Sequence, residues 1–157
     1  SNAKNFEDKF KSYCVFLNVI AIGSMERAAE KIYDLLRPLG EDIDPNVISP
    51  QMALGEFMST RDTLSGRQQD LFLNLPQMTD RTKLMSMKLM AMLVTYYLHQ
   101  QTFMGGYLVC KIISVSLQYG HCEDTVFALS MFSATLVNRL HDIEGGYTLA
   151  PTTFSFF

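Results

Sequence analysis

"MTDRTKLMSMKLMAMLVTYY", Met78 to Tyr97, holds five of the ten methionines of a 157-residue chain. Such a run suits the floor of a sticky peptide groove, a methionine string for copper, a membrane-seeking helix or the inside of a helical stack. Met85, Met87, Met90 and Met92, interleaved with Leu84, Leu89, Leu93, Val94, Tyr96 and Leu98, are too dense for one stripe and wrap most of a helix. A helix apolar on most sides belongs where neighbours cover it on several sides. Thioether side chains suit that place because they are unbranched and polarizable. Copper(I) accepts thioethers, but residues two apart on a helix point about 200° apart, and no Cys or His lies nearby until His99. Lys88 keeps the run short of bilayer-spanning length, and Lys111 does so in the next apolar segment. The stretch reads as core, with a partner groove as the main alternative.

Outward from this stretch the same three-and-four spacing recurs. Thr79 or Asp80 caps the methionine helix, which runs to about Gln100; further helices run from about Thr102 to Gly120 and about Glu123 to Leu140. Upstream, Phe6, Phe10, Tyr13, Cys14, Phe16, Leu17, Ile20 and Ala21 line one face of a helix from about Asn5 to Ile22, ended by Gly23. Ser24 caps a second, with Met25, Ala28, Ala29, Ile32, Leu35 and Leu36 as its stripe, closed by Pro38 and Gly40. After the polar link "EDIDPNVISPQ", Ser49-Pro50 starts a helix to about Leu64, since proline's missing donor costs nothing at the first helical position. "RQQDLFLNLP" reads as a short helix stopped by Pro76, and a last helix opens at Ile143. Strand-like alternation is absent, so the expectation is an all-α chain of about seven or eight helices.

Ser1-Asn2-Ala3 has the look of a cleaved expression-tag scar, residues 4–150 read as a single helical-repeat domain, and 151–157, "PTTFSFF", as an irregular tail. A formal charge of −3, from 13 basic and 16 acidic residues with no long basic run, argues against nucleic acid as a partner. Cys14, Cys110 and Cys122 are odd in number and far apart, as befits reduced thiols in the cytoplasm. An internal echo joins "GSMERAAEKI" (23–32) to "HDIEGGYTLA" (141–150): a capping residue, an apolar residue, Glu, one variable position, then a small residue that lets a helix approach its predecessor.

Candidate chemistry is sparse. In "GHCED" (120–124) adjacent residues do not converge on one ion, so the cluster reads as a helix cap with acidic first-turn residues. His141-Asp142 reads as a turn and cap at a helix start, and His99 as a cation suited to a helix C-terminus. Gly105-Gly106 and Gly145-Gly146 lack the lysine and hydroxyl of a phosphate loop and suit close helix packing. No nucleophile has an identifiable base, so no catalytic residue, cofactor or metal is expected.

Three motifs carry a resemblance. Leu75, Pro76, Met78, Thr79 and Asp80 form "L-P-x-M-T-D" before a long helix; Ser116, Leu117, Tyr119 and Gly120 form "S-L-x-Y-G" closing the next; Asp142, Glu144, Gly146 and Tyr147 open a further one. Over about residues 71 to 150 the chain resembles the tetratricopeptide-like helical region of very large sensor kinases. That region lies between an ATPase module and sensor and histidine-kinase domains, often with a serine/threonine-kinase-like domain in front. The resemblance implies antiparallel helix pairs stacked as a solenoid fragment with a right-handed superhelical tendency, and no catalytic residue here. It departs from the family at Pro151, where the helical array would continue. The expected function is a non-catalytic scaffold or regulatory module binding a protein, a peptide or neighbouring domains, with homo-oligomerisation open. Tyr96, Tyr97, Gln100, Gln101, Tyr107 and Tyr119 are the candidate contacts. The rival expectation is a small-molecule sensor with an apolar pocket lined by methionine and tyrosine.

Overall fold

The computed structural model describes residues 2–65, 74–100, 102–141 and 145–146. Among them are six α-helices, a short 3₁₀ turn and no strand beyond an isolated bridge. Residues 67–73 of the short helix expected over 67–75, most of the one expected from Ile143, and the tail lie outside the described residues; Asn74 and Leu75 are not helical. Contacts gather in two compact units, Ser1–Asp44 and Pro45–Phe157.

The first unit is a helical hairpin of α1 (Asn2–Gly23) and α2 (Met25–Leu36). Ser24 makes the turn between them: its extended backbone leaves the helix, and its Oγ accepts the Arg27 amide at 3.3 Å. Ala28, Ala29, Ile32, Tyr33 and Leu36 of α2 are buried, as is Leu17 of α1. Arg37–Leu39 forms the 3₁₀ turn, ended by Gly40 in the left-handed conformation. The single stripe expected on α1 is only partly buried. Tyr13 and Phe16, assigned to it, are exposed together with Val15, Val19 and Ile22. The helix is apolar on two opposed faces, and packing against α2 accounts for one.

The second unit contains α3 (Pro50–Ser65), α4 (Arg81–Gln100), α5 (Phe103–Tyr119) and α6 (Glu123–Leu140). Ser49 Oγ accepts the Met52 amide at 3.2 Å, starting α3. Asp80, not Thr79, caps α4: its Oδ1 accepts the Thr82 and Lys83 amides at 2.9 and 3.2 Å. Helix α5 packs against α3, α4 and α6. Lys83 lies over the Tyr119 ring at 4.9 Å and Gly105 adjoins Tyr97, so α4 and α5 run antiparallel. Lys88 meets Asp124 and Ser116 meets Thr125, so α6 runs with α4 and against α5.

Met87, Leu89, Met90 and Leu93 of α4, Leu108, Ile112 and Ile113 of α5, and Phe132 of α6 are fully buried. Phe132 stacks on Phe57 of α3 with centroids 4.4 Å apart. Each fully buried aliphatic, thioether or phenyl side chain contributes about 1.5–3 kcal/mol of transfer free energy. The methionine stretch is therefore core, as its wrap-around pattern required. Gly146 also meets a packing demand, because a Cβ there would run into Val137 Cγ2 and approach the Ser133 carbonyl. Gly105 makes ordinary contact with Tyr97 and Gly106 faces open space, so close packing does not explain that pair.

Candidate functional site

Two of the three sequence motifs meet in space. The segment before α4 and the turn between α5 and α6 form a parallel bridge, Gln77 to His121. Met78 donates its amide to the His121 carbonyl at 2.8 Å, and His121 donates to the Pro76 carbonyl at 2.9 Å. Gly120 makes this approach possible. Its φ of 106° and ψ of 174° lie in a region that is essentially glycine's alone, and a Cβ would collide with the Pro76 carbonyl oxygen. The "L-P-x-M-T-D" and "S-L-x-Y-G" residues thus clip the base of α4 to the end of α5.

Beside this clip, "GHCED" is a helix cap. Cys122 occupies the N-cap; its amide donates to Thr125 Oγ1 at 2.9 Å, and Thr125 Oγ1 lies 3.7 Å from Cys122 Sγ. Thr125 Oγ1 also shares a 2.8 Å hydrogen bond with Ser116 Oγ, itself donating to the Ile112 carbonyl, so a buried polar chain ties α5 to α6. His141 is a capping turn residue, as expected, but on α6: it closes that helix in a left-handed conformation, φ 53°, with its amide on the Leu136 carbonyl. It is the C-cap of α6; Gly145 and Gly146 are helical, and the residues between lie outside the described ones.

The nominated contact residues do not form one patch. Tyr96, Tyr97 and Gln100 sit at the C-terminal end of α4. The Tyr96 ring is buried, its hydroxyl accepts Gln100 Nε2 at 2.8 Å, and it packs against Tyr97 at 4.8 Å. Tyr107 is half-buried near the start of α5. Burial first, then the nearby Glu56 and Cys110, push its hydroxyl above the ordinary tyrosine range. Tyr119 lies twelve residues on, about 18 Å along the helix, with Lys83 over its ring. Gln101 lies outside the described residues.

Groups with chemical potential are held in packing. Burial is the main cause that pushes the Cys110 thiol up to about 12; contact with Thr60 opposes this and Glu56 adds to it. That thiol is overwhelmingly protonated at neutral pH and a poor nucleophile. Burial likewise raises Asp124, opposed by Lys88 at 3.7 Å and supported by Glu123. Around this pair lies an open cleft of about 240 Å³ between α4 and α6, floored by Ala91, Met92 and Phe127. No set of three or more His, Cys, Asp or Glu gathers closely enough to hold a metal among the described residues. None of the described helices is long and apolar enough to cross a membrane.

No protein-family model matches the chain, and neither do curated proteins or solved structures.

Proposed function

We propose that the chain is a non-catalytic helical-repeat scaffold or regulatory module of a cytoplasmic signal-transduction protein, contacting a protein or peptide partner or neighbouring domains of its own polypeptide. One observation carries the reading: the distribution of apolar surface. The second unit draws four of its clustered methionines, Met78, Met85, Met87 and Met90, into its core, while whole helix faces elsewhere stay apolar and open, as at Val15, Val19 and Ile22. Helical surfaces of this kind bind through buried side chains and shape, without chemistry.

The sensor-kinase resemblance sharpens the proposal. Its first two motifs are structural, and an antiparallel α4–α5 pair followed by α6 parallel to α4 is in keeping with tetratricopeptide-like stacking. In that setting the module would relay contacts between an ATPase domain and downstream sensor and kinase domains. Nuclear magnetic resonance titration with each isolated flanking domain of the parent reading frame tests it. Localised amide shifts with at least one domain or a derived peptide are expected; unchanged spectra with all of them sink the interdomain role. The sensor alternative would use the α4–α6 cleft. Its lining includes one methionine and no tyrosine, and its volume falls below the roughly 300–1,000 Å³ usual for ligand pockets. A small molecule that raises the melting temperature and shifts Met92 and Phe127 resonances would favour that alternative.

A further inference from the structure

We propose that the cleft between α4 and α6 takes a single arginine side chain projected by a partner protein, its guanidinium on Asp124 and Glu123 and its stem along Met92 and Phe127. The inference rests on the partner-binding reading and names what that partner must present. Lys88, Met92 and Thr95 follow one another at steps of four and three and so share one face of α4; Glu123, Asp124 and Phe127 line the cleft from the first turns of α6. Because the two helices run the same way, the charged groups gather at one end of the cleft, and Met92 and Phe127 lie about a turn further on.

Size narrows the occupant first. At about 240 Å³ the cleft exceeds the roughly 150 Å³ that holds a benzene and falls short of the roughly 300–1,000 Å³ of ordinary ligand pockets. That is room for one long side chain. Charge then decides which. The lining carries two carboxylates against one ammonium, which leaves a negative charge in excess and disfavours an anion. Asp124 has only 13% of its side chain exposed, and Lys88 stands 3.7 Å away with half of its own side chain in water. Tight charged contacts close to about 2.7–2.9 Å. Burial therefore outweighs Lys88 and holds the Asp124 carboxyl above its ordinary value. A second cation supplies what Lys88 leaves undone. Guanidinium suits the place better than another ammonium: its planar fork spans two carboxylates, it is more weakly hydrated, and it packs on an aromatic face such as that of Phe127.

Nuclear magnetic resonance titration of the whole chain with acetyl-Ala-Leu-Arg-Leu-Ala-amide, up to about 5 mM, provides the test, beside the same peptide with citrulline or glutamate at its centre. Citrulline keeps the shape and loses the charge. The arginine peptide is expected to shift Met92 and Phe127 resonances saturably, and the glutamate peptide to leave them unmoved. Binding should weaken at least about tenfold with citrulline, or in Asp124→Asn or the exposed Glu123→Gln, the order expected for one lost hydrogen bond to a charged group. Asp34→Asn, at an exposed acid of α2, should bind as the parent does, and circular dichroism melts check that each variant is folded. An arginine peptide that shifts nothing overturns the proposal, as does equal binding by the citrulline peptide or by both cleft variants. So does butylguanidinium that binds as tightly as the peptide, which would return the cleft to the small-molecule alternative. Flanking domains that shift amides away from the cleft while the arginine peptide is silent sink this site and spare the scaffold reading; an arginine peptide that binds while every flanking domain is silent sinks the interdomain role and spares the site.

Discussion

Helices α1 and α4 are both apolar around most of their circumference, yet they end in opposite situations. In α4, Met87, Leu89, Met90, Leu93 and Val94 are at most 1% exposed, because both α5 and α6 pack against that helix. In α1, Leu17 is fully buried while Val15, Val19 and Ile22 are more than half exposed. Hydrophobic density does not by itself bury a residue. Burial needs a neighbour on each apolar face, and the number of neighbours comes from the tertiary arrangement.

Substitutions place that contrast on an energy scale. Phe132→Ala removes a buried ring stacked on Phe57 and is expected to cost about 3–5 kcal/mol in urea unfolding, the largest effect of the series. Gly120→Ala comes next at about 3 kcal/mol, because it meets a forbidden backbone region and the Pro76 carbonyl together; a loss under about 1 kcal/mol would mean that the clip yields easily. Thr125→Val removes the partner of the Cys122 amide and of Ser116, and is expected to lower stability by about 1–2 kcal/mol.

Asp124 supplies a sign to check. Its folded carboxyl titrates above the ordinary value, so as pH rises the unfolded chain ionises first and stability falls until the folded carboxyl has ionised too. In Asp124→Asn this falling component should vanish from the stability profile between acid and neutral pH. A variant whose stability declines just as steeply with pH would assign the decline to another group. Smallest of all is Val19→Ala on α1, expected to stay within about 0.5 kcal/mol in dilute solution, where α1 faces solvent. If Val19→Ala costs as much as a core truncation, the contrast between α1 and α4 is broken.

Helix ends were legible because they depend on local chemistry: Ser24, Ser49-Pro50 and Asp80 act within three residues of themselves. The core role of Met85, Met87 and Met90 was legible because apolar residues cover most of the helix circumference, leaving water only the strip that carries Lys88 and Thr95. Long-range pairing was not. The Pro76–His121 bond joins backbone atoms and leaves no side-chain signature; Gly120 was the nearest signal, and in sequence it reads simply as a helix end. Cys122 is an unusual cap, and Thr125 three residues on was the clue to it. His141 sat at a boundary between two expected helices, where closing one and opening the next look alike in sequence. The six nominated tyrosines and glutamines shared a description, near helix ends, but helix ends lie at both extremes of a hairpin.

A core built on sulfur also has a chemical consequence. Met87 and Met90 are sealed from peroxide as long as α4 stays packed, whereas Met52 on α3 stands half exposed. Oxidation of Met52 alters a surface. Oxidation of Met87 during a transient opening turns an apolar filler into a polar sulfoxide that no longer fits where it came from. Under oxidant stress an otherwise reversible opening of α4 becomes a one-way step, so the lifetime of the fold is set by how often that helix lifts.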